Sequence, residues 1–170
     1  MTAGNEENPG EVQARRLENV AEQLKTLQPR PDVAPHMRAD PGDNEWSAMQ
    51  ILGHMVEMIP YWMNHCHAMI AAGGGSHHFG RSLDAPERLV GVELGAAGNP
   101  DEILRVLNGE LQAAATTIRR VSAADRDKKG VYSKGGEMTV AEVIEQLIVA
   151  HAEAHLAQVR ATLRAYLYRS

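Results

Sequence analysis

The chain has 170 residues, of which 17 are basic and 22 acidic, for a net charge of −5; 44% are apolar or aromatic and 23% charged. That length suits one domain, residues 1–170 with its core over about 10–168, and is short for two. The mild acidity and an aromatic content of 4% argue against a nucleic-acid or anionic-lipid footprint, and a single cysteine, Cys66, argues against an intramolecular disulfide.

Four segments carry helical periodicity, and none shows sustained period-two alternation. The expected class is therefore all-α, a four-helix bundle. The first helix, about residues 10 to 28, sets Val12, Leu17, Val20, Leu24 and Leu27 near one face before Pro29, Pro31 and Pro35 stop it. The second starts at Ser47, with Gln50 completing a capping box and Trp46 and Ile51 placed as a staple. Pro60 lies inside its pattern, where a kink or break is expected, and Gly73, Gly74 and Gly75 end it.

About 25 residues then connect the second helix to the third. A loop that long serves a topological crossover or lines a site. The third helix opens with Asn99 as cap, Pro100 at the first helical position, and Asp101 and Glu102 at the positive end of the dipole. The fourth opens with Thr139 and Glu142 as a second capping box, with Met138 and Val143 as its staple, and runs toward Tyr168. The N-terminal residues lack a secretory pattern, and no run approaches the ~18 apolar residues of a membrane span. A soluble, cytoplasmic protein with no membrane and no nucleic-acid partner is expected.

On the fourth helix, Ile144, Leu147, Ile148, His151, Ala154, His155, Gln158 and Thr162 follow three/four spacing along one face. His151 and His155 are one turn apart and face inward, and Glu153 is about 200° round from His151, facing away. The run His151-Ala152-Glu153-Ala154-His155 is not the zincin motif, whose glutamate adjoins the first histidine. Two interior histidines are either satisfied by hydrogen bonds or gathered round a metal. His54, on the inner stripe of the second helix with Ile51, Met58, Tyr61 and His65, is the third candidate ligand. His65 is about 16 Å further along that helix and cannot share its metal. His65 and His67 are read as surface residues or partners of ligands, and His36, His77 and His78 as exposed loop residues.

Trp46 with the following "SAMQILGHMVEMIPYW", and later "MTVAEVIEQLIVAHAEAHLAQVRATL", together resemble the DinB/YfiT-like family of four-helix metalloenzymes. The resemblance covers roughly residues 10 to 166, with its specific motifs on the second and fourth helices. It implies that His54, His151 and His155 ligate a divalent metal.

Three neutral imidazoles leave an ion its charge and an open position, the arrangement of a catalytic site. Zinc and nickel are the first candidates, although imidazole also suits iron and copper. The resemblance further implies thiol S-transfer or a related detoxifying reaction using a low-molecular-weight thiol on a small-molecule substrate. A metal-dependent hydrolase, or a non-catalytic stress-response or interaction protein, is the alternative. Glu57 and Gln158 are candidate partners for the histidine rings, and Arg81 in the long loop is a candidate grip for a carboxylate. A homodimer is expected from the resemblance and the apolar first helix. A di-iron carboxylate site is disfavoured because no glutamate is followed three residues later by histidine.

Overall fold

The computed structural model describes residues 7–27, 30–74 and 76–167; the sequence features at Pro29, Gly75 and Tyr168 lie outside the described residues. Helix α1 (Pro9–Lys25) begins on Asn8, whose side chain accepts from Gly10 N, with Pro9 in the first turn. Helix α2 (Ala48–Ala71) starts on the expected Ser47–Gln50 capping box and continues through Pro60. Helix α4 (Pro100–Arg120) starts on Asn99 as read from the sequence, its side chain accepting from Asp101 N and Glu102 N. The last long helix, 140–167, starts on the Thr139–Glu142 box. It comprises α6 (Val140–Val143), a π-helical stretch (Ile144–Val149) and α7 (Ala150–Leu167).

These four form the bundle. Helix α1 packs on α4 and on the last helix, and α2 packs on the same two, so that α1 and α2 are diagonal. Leu17, Ile51, Leu52, Met55, Met58, Leu107, Leu111, Ile118, Ile144 and Ile148 fill the centre without solvent exposure. Two arginines tie α1 to its neighbours. Arg16 binds Glu145 and Glu153 at 2.6–2.8 Å, and Arg119 binds Glu11 and Glu18 at 2.5–3.1 Å.

Three features differ from the sequence reading. The crossover is not an open loop: it holds strand β1 (His78–Phe79) and helix α3 (Pro86–Ala97), which lies against α2. The α3 contact depends on glycine. A Cβ on Gly53 would lie 2.4 Å from Gly91 O and from Gly95 Cα, and one on Gly95 would lie 2.7 Å from Gly53 Cα. Only backbones free of side chains approach that closely, and the spacing Gly91-x-x-x-Gly95 presents two such positions on one helical face. The short length of α3, and its burial of Gly91 and Gly95 while Leu89, Val90 and Leu94 face outward, hide its period in the sequence.

The second difference is a small sheet. Between α4 and the last helix come the one-turn α5 (Ala123–Arg126) and a hairpin of β2 (Lys129–Tyr132) and β3 (Gly136–Thr139). Strand β1 joins β2 in parallel, giving the order β1-β2-β3. Four-residue strands are too short to show alternation. The overlooked cue was Gly135-Gly136, with Gly136 at φ +78°, a turn signal between two potential strands.

The third is the π-helical stretch, where the Ala150 N–H reaches back five residues to Glu145 O. One extra residue in a turn delays the helix by about 100°. Ile144 therefore aligns with Ala152, which is fully buried, and Ala154 is exposed instead of interior. The histidine stripe runs beside the core stripe, not within it.

A methyl group at the α2–α3 contact has no free space, whereas Gly109 on α4 has nothing within 4 Å. Gly53→Ala is expected to lower stability by about 1–3 kcal/mol through overpacking. Gly109→Ala is expected to raise it by ~0.5–1 kcal/mol through helix propensity. Thermal unfolding followed by circular dichroism compares the two, and equal midpoints would contradict the close-approach account.

Candidate metal centre

The two capping boxes fix where the histidine-bearing helices begin. In α2 the Ser47 N–H donates to Gln50 Oε1 at 2.9 Å and Gln50 N–H to Ser47 Oγ at 3.3 Å, which sets His54 two turns into the bundle. His54 is 2% exposed, and the Trp46 ring lies 5.2 Å from its ring. From the last helix, His151 and His155 approach it. Ring centroids are 5.9 Å apart for His54–His151, 4.9 Å for His54–His155 and 4.6 Å for His151–His155. One nitrogen from each ring lies within 4.8 Å of the other two, so the three side chains predicted from sequence do come together.

Their hydrogen bonds leave unused nitrogens. His155 Nδ1–H donates to Gln158 Oε1 at 2.9 Å, which fixes the tautomer and leaves Nε2 with its lone pair. That Nε2 is buried with no partner, and so is His54 Nδ1. His151 has a backbone hydrogen bond to Leu147. Ordinary interior bonding thus explains one nitrogen on each of two rings and leaves two buried nitrogens unaccounted for, which interiors rarely tolerate. Imidazole nitrogens in this state match the donor set of a borderline divalent cation, so the residues fit such an ion.

Charge favours the same reading. Burial, then the neighbouring His155 and Arg88, push the His54 pKa down to about 3. Burial and His155 push His151 down to about 4, against the opposing pull of its bond to Leu147. His155 is lowered by burial, with the Gln158 bond opposing. All three are neutral near pH 7 and need no deprotonation to act as ligands.

A cavity of about 110 Å³ opens beside His54 and His151, bounded by Trp62, Arg81, Leu83, Arg88, Tyr132 and Leu147 among others. Arg81 is held by Glu57, with Nη1–Oε1 at 2.5 Å and Nη2–Oε2 at 2.7 Å, and its guanidinium carbon stands 3.9 Å over the Tyr61 ring. Glu57 Oε2 is in turn 4.0 Å from His54 Nδ1. The sequence candidates Glu57 and Arg81 therefore form an ion pair one layer behind the histidines, and Gln158 contacts His155 directly. The sequence reading missed Arg88, Tyr132 and Lys134, because the helix and hairpin that carry them were not recognised. His77 is not a solvated loop residue: its Nε2 lies 2.9 Å from His65 Nδ1, and its ring stacks on Phe79.

The fold and this trio define a four-helix-bundle protein with a three-histidine centre. A model of the DinB superfamily matches residues 11–159, and the chain belongs to that superfamily. YfiT from Bacillus subtilis, described as a probable metal-dependent hydrolase with an unusual four-helix bundle topology, has a similar structure. Its TM-score is 0.70 at 16% identity, over 94% of this chain and 89% of that one, a likeness of fold. No curated protein matches the sequence. No helix among the described residues is long and apolar enough to cross a membrane.

The depressed histidine pKa values make the metal-free protein acid-sensitive. Above about pH 6.5 these histidines are neutral whether the chain is folded or not. As pH falls from 6.5 toward 4, the unfolded chain binds protons that folded His54 and His151 refuse, so stability falls. Chemical denaturation of metal-free protein at pH 7, 6 and 5 should show this loss, with a shallower slope for His54→Phe. A slope unaffected by that substitution would contradict the assignment.

Proposed function

We propose that the chain is a metal-dependent enzyme whose ion is held by His54, His151 and His155, and that it transfers a low-molecular-weight thiol to a small electrophile. The carrying observation is the convergence of three neutral imidazoles, two with buried unpartnered nitrogens, beside a cavity. A divalent ion bound by three imidazoles supplies Lewis acidity and acidifies a coordinated water or thiol.

The protein groups have separable tasks. Gln158 holds the His155 tautomer, the Leu147 carbonyl orients His151, and Trp46 packs beside His54. Trp62, Leu83 and Leu147 give the cavity its apolar wall.

Among the described residues, the cavity wall has three cations and no carboxylate. Glu57, which lies 4.0 Å from His54 Nδ1, has both oxygens on Arg81. A water or a thiol on such an ion loses its proton near neutral pH, so the proton alone does not separate the two chemistries. The cationic lining, which attracts an anionic thiol cofactor, favours thiol transfer. Hydrolysis is the second reading, favoured by the likeness to YfiT, and a cytoplasmic, stress-response setting fits either.

Protein purified without chelators is expected to carry close to one zinc or nickel per chain by elemental analysis. Gln158→Leu should weaken retention about 10–100-fold, and His151→Ala more. Assays with thiols and electrophiles, run beside ester and amide hydrolysis, then separate the two chemistries. Metal without thiol-dependent turnover would overturn the transferase reading, and metal without any turnover would favour an interaction protein.

A further inference from the structure

The cavity beside the histidines is bordered by two arginines in different electrical states. Arg81 is neutralised, since Glu57 occupies both its terminal nitrogens and Glu87 lies 3.8 Å away. Arg88, on α3, is half-buried and has no carboxylate within salt-bridge distance among the described residues. Its Nη1 donates to the Leu83 carbonyl at 2.6 Å, and its guanidinium carbon lies 4.6 Å over the Trp46 ring. Arginine carries five N–H donors, so most of its fork is unclaimed. Glu57, the acid whose field reaches it, is already bound to Arg81, and a partly desolvated cation short of counter-charge is costly unless something supplies more.

Its position shows where that counter-charge would sit. Arg88 borders the cleft that holds His54 and His151 and also a second one that holds His155 and Gln158. The guanidinium is thus on the wall between both approaches to the trio. Glu45 borders the second cleft, whereas Lys134 is at the first, so an anion is steered to the first. There, Trp62, Leu83 and Leu147 offer apolar walls within about 110 Å³.

From this geometry we infer that Arg88 selects the substrate class: a small organic acid with an apolar body, its carboxylate on the Arg88 fork and its reactive end toward the histidines. The role of the reactive end rests on the metal-enzyme reading above; recognition of the carboxylate does not. The assignment moves the carboxylate grip from Arg81, where the sequence suggested it, to a residue one helix further along.

Both tryptophans of the chain, Trp46 and Trp62, lie at the site, so intrinsic fluorescence reports binding. Zinc-loaded protein should bind 3-mercaptopropionate at least ~10-fold more tightly than 3-mercaptopropionamide, the scale of one charge-assisted hydrogen-bond pair. Arg88→Gln should abolish that ratio with zinc content and amide affinity unchanged, and Arg88→Lys should keep part of it, since an ammonium lacks the fork. If no zinc is retained, the metal reading fails by itself. Butyrate against butyramide on metal-free protein then decides the carboxylate question. In wild-type protein, which needs no variant to fold, butyrate should shift the Arg88 Nε–H resonance and butyramide should not. Equal affinity for acid and amide, a ratio that survives Arg88→Gln, or an unmoved Arg88 resonance overturns the inference.

Discussion

An imidazole nitrogen sealed from water without a partner is unfavourable, and this protein holds two of them within one small volume. The surrounding bundle makes that arrangement tolerable. His54 is fixed by its depth in α2, while His151 and His155 are fixed by the last helix and by bonds to Leu147 and Gln158. Protonation would place positive charges within 5–6 Å of one another by ring centroid. Keeping the rings neutral and mutually facing is therefore one constraint, and the cavity, the Glu57–Arg81 pair and the approach of α3 are arranged around it. A cation with an appetite for nitrogen lone pairs relieves it.

The histidine trio was legible in sequence because its members obey helical spacing. His151 and His155 need only an α-helical repeat to face the same way, and His54 needs only a start point, which Ser47 and Gln50 declare. The bundle was legible for the same reason: long amphipathic segments with strong caps. What surrounds the ligands was not. Helix α3 leaves Leu89, Val90 and Leu94 exposed and buries glycines, an inverted pattern that periodicity arguments read as loop. The β2–β3 hairpin is short, and its Gly-Gly turn is a weak mark. Arg88, Tyr132 and Lys134 were lost with them, and Arg81 was credited with a freedom that Glu57 removes.

The candidate ligands and the charged lining of the cavity thus come from different parts of the chain. The three histidines belong to α2 and the last helix, two bundle members in direct contact. Arg81, Arg88 and Lys134 come from the crossover and the hairpin, which lie outside the four-helix scaffold. Variation in those outer segments can alter what enters the cavity while the three imidazoles stay in place. That division is consistent with membership of a superfamily and a shared fold at 16% identity.

The π-helical stretch bears on how the last helix is held. In an unbroken α-helix, residues eight apart differ by about 80° in direction. With one residue absorbed by the widened turn, Glu145 and Glu153 swing to within about 20° of each other, and a single guanidinium, that of Arg16, grasps both. The first helix supplies none of the three imidazoles, yet it acts as a splint across the irregular turn that aims two of them. Winding 144–149 as regular α-helix with every residue kept would swing Glu153 out of reach of Arg16 and turn both rings about 100° away from the third.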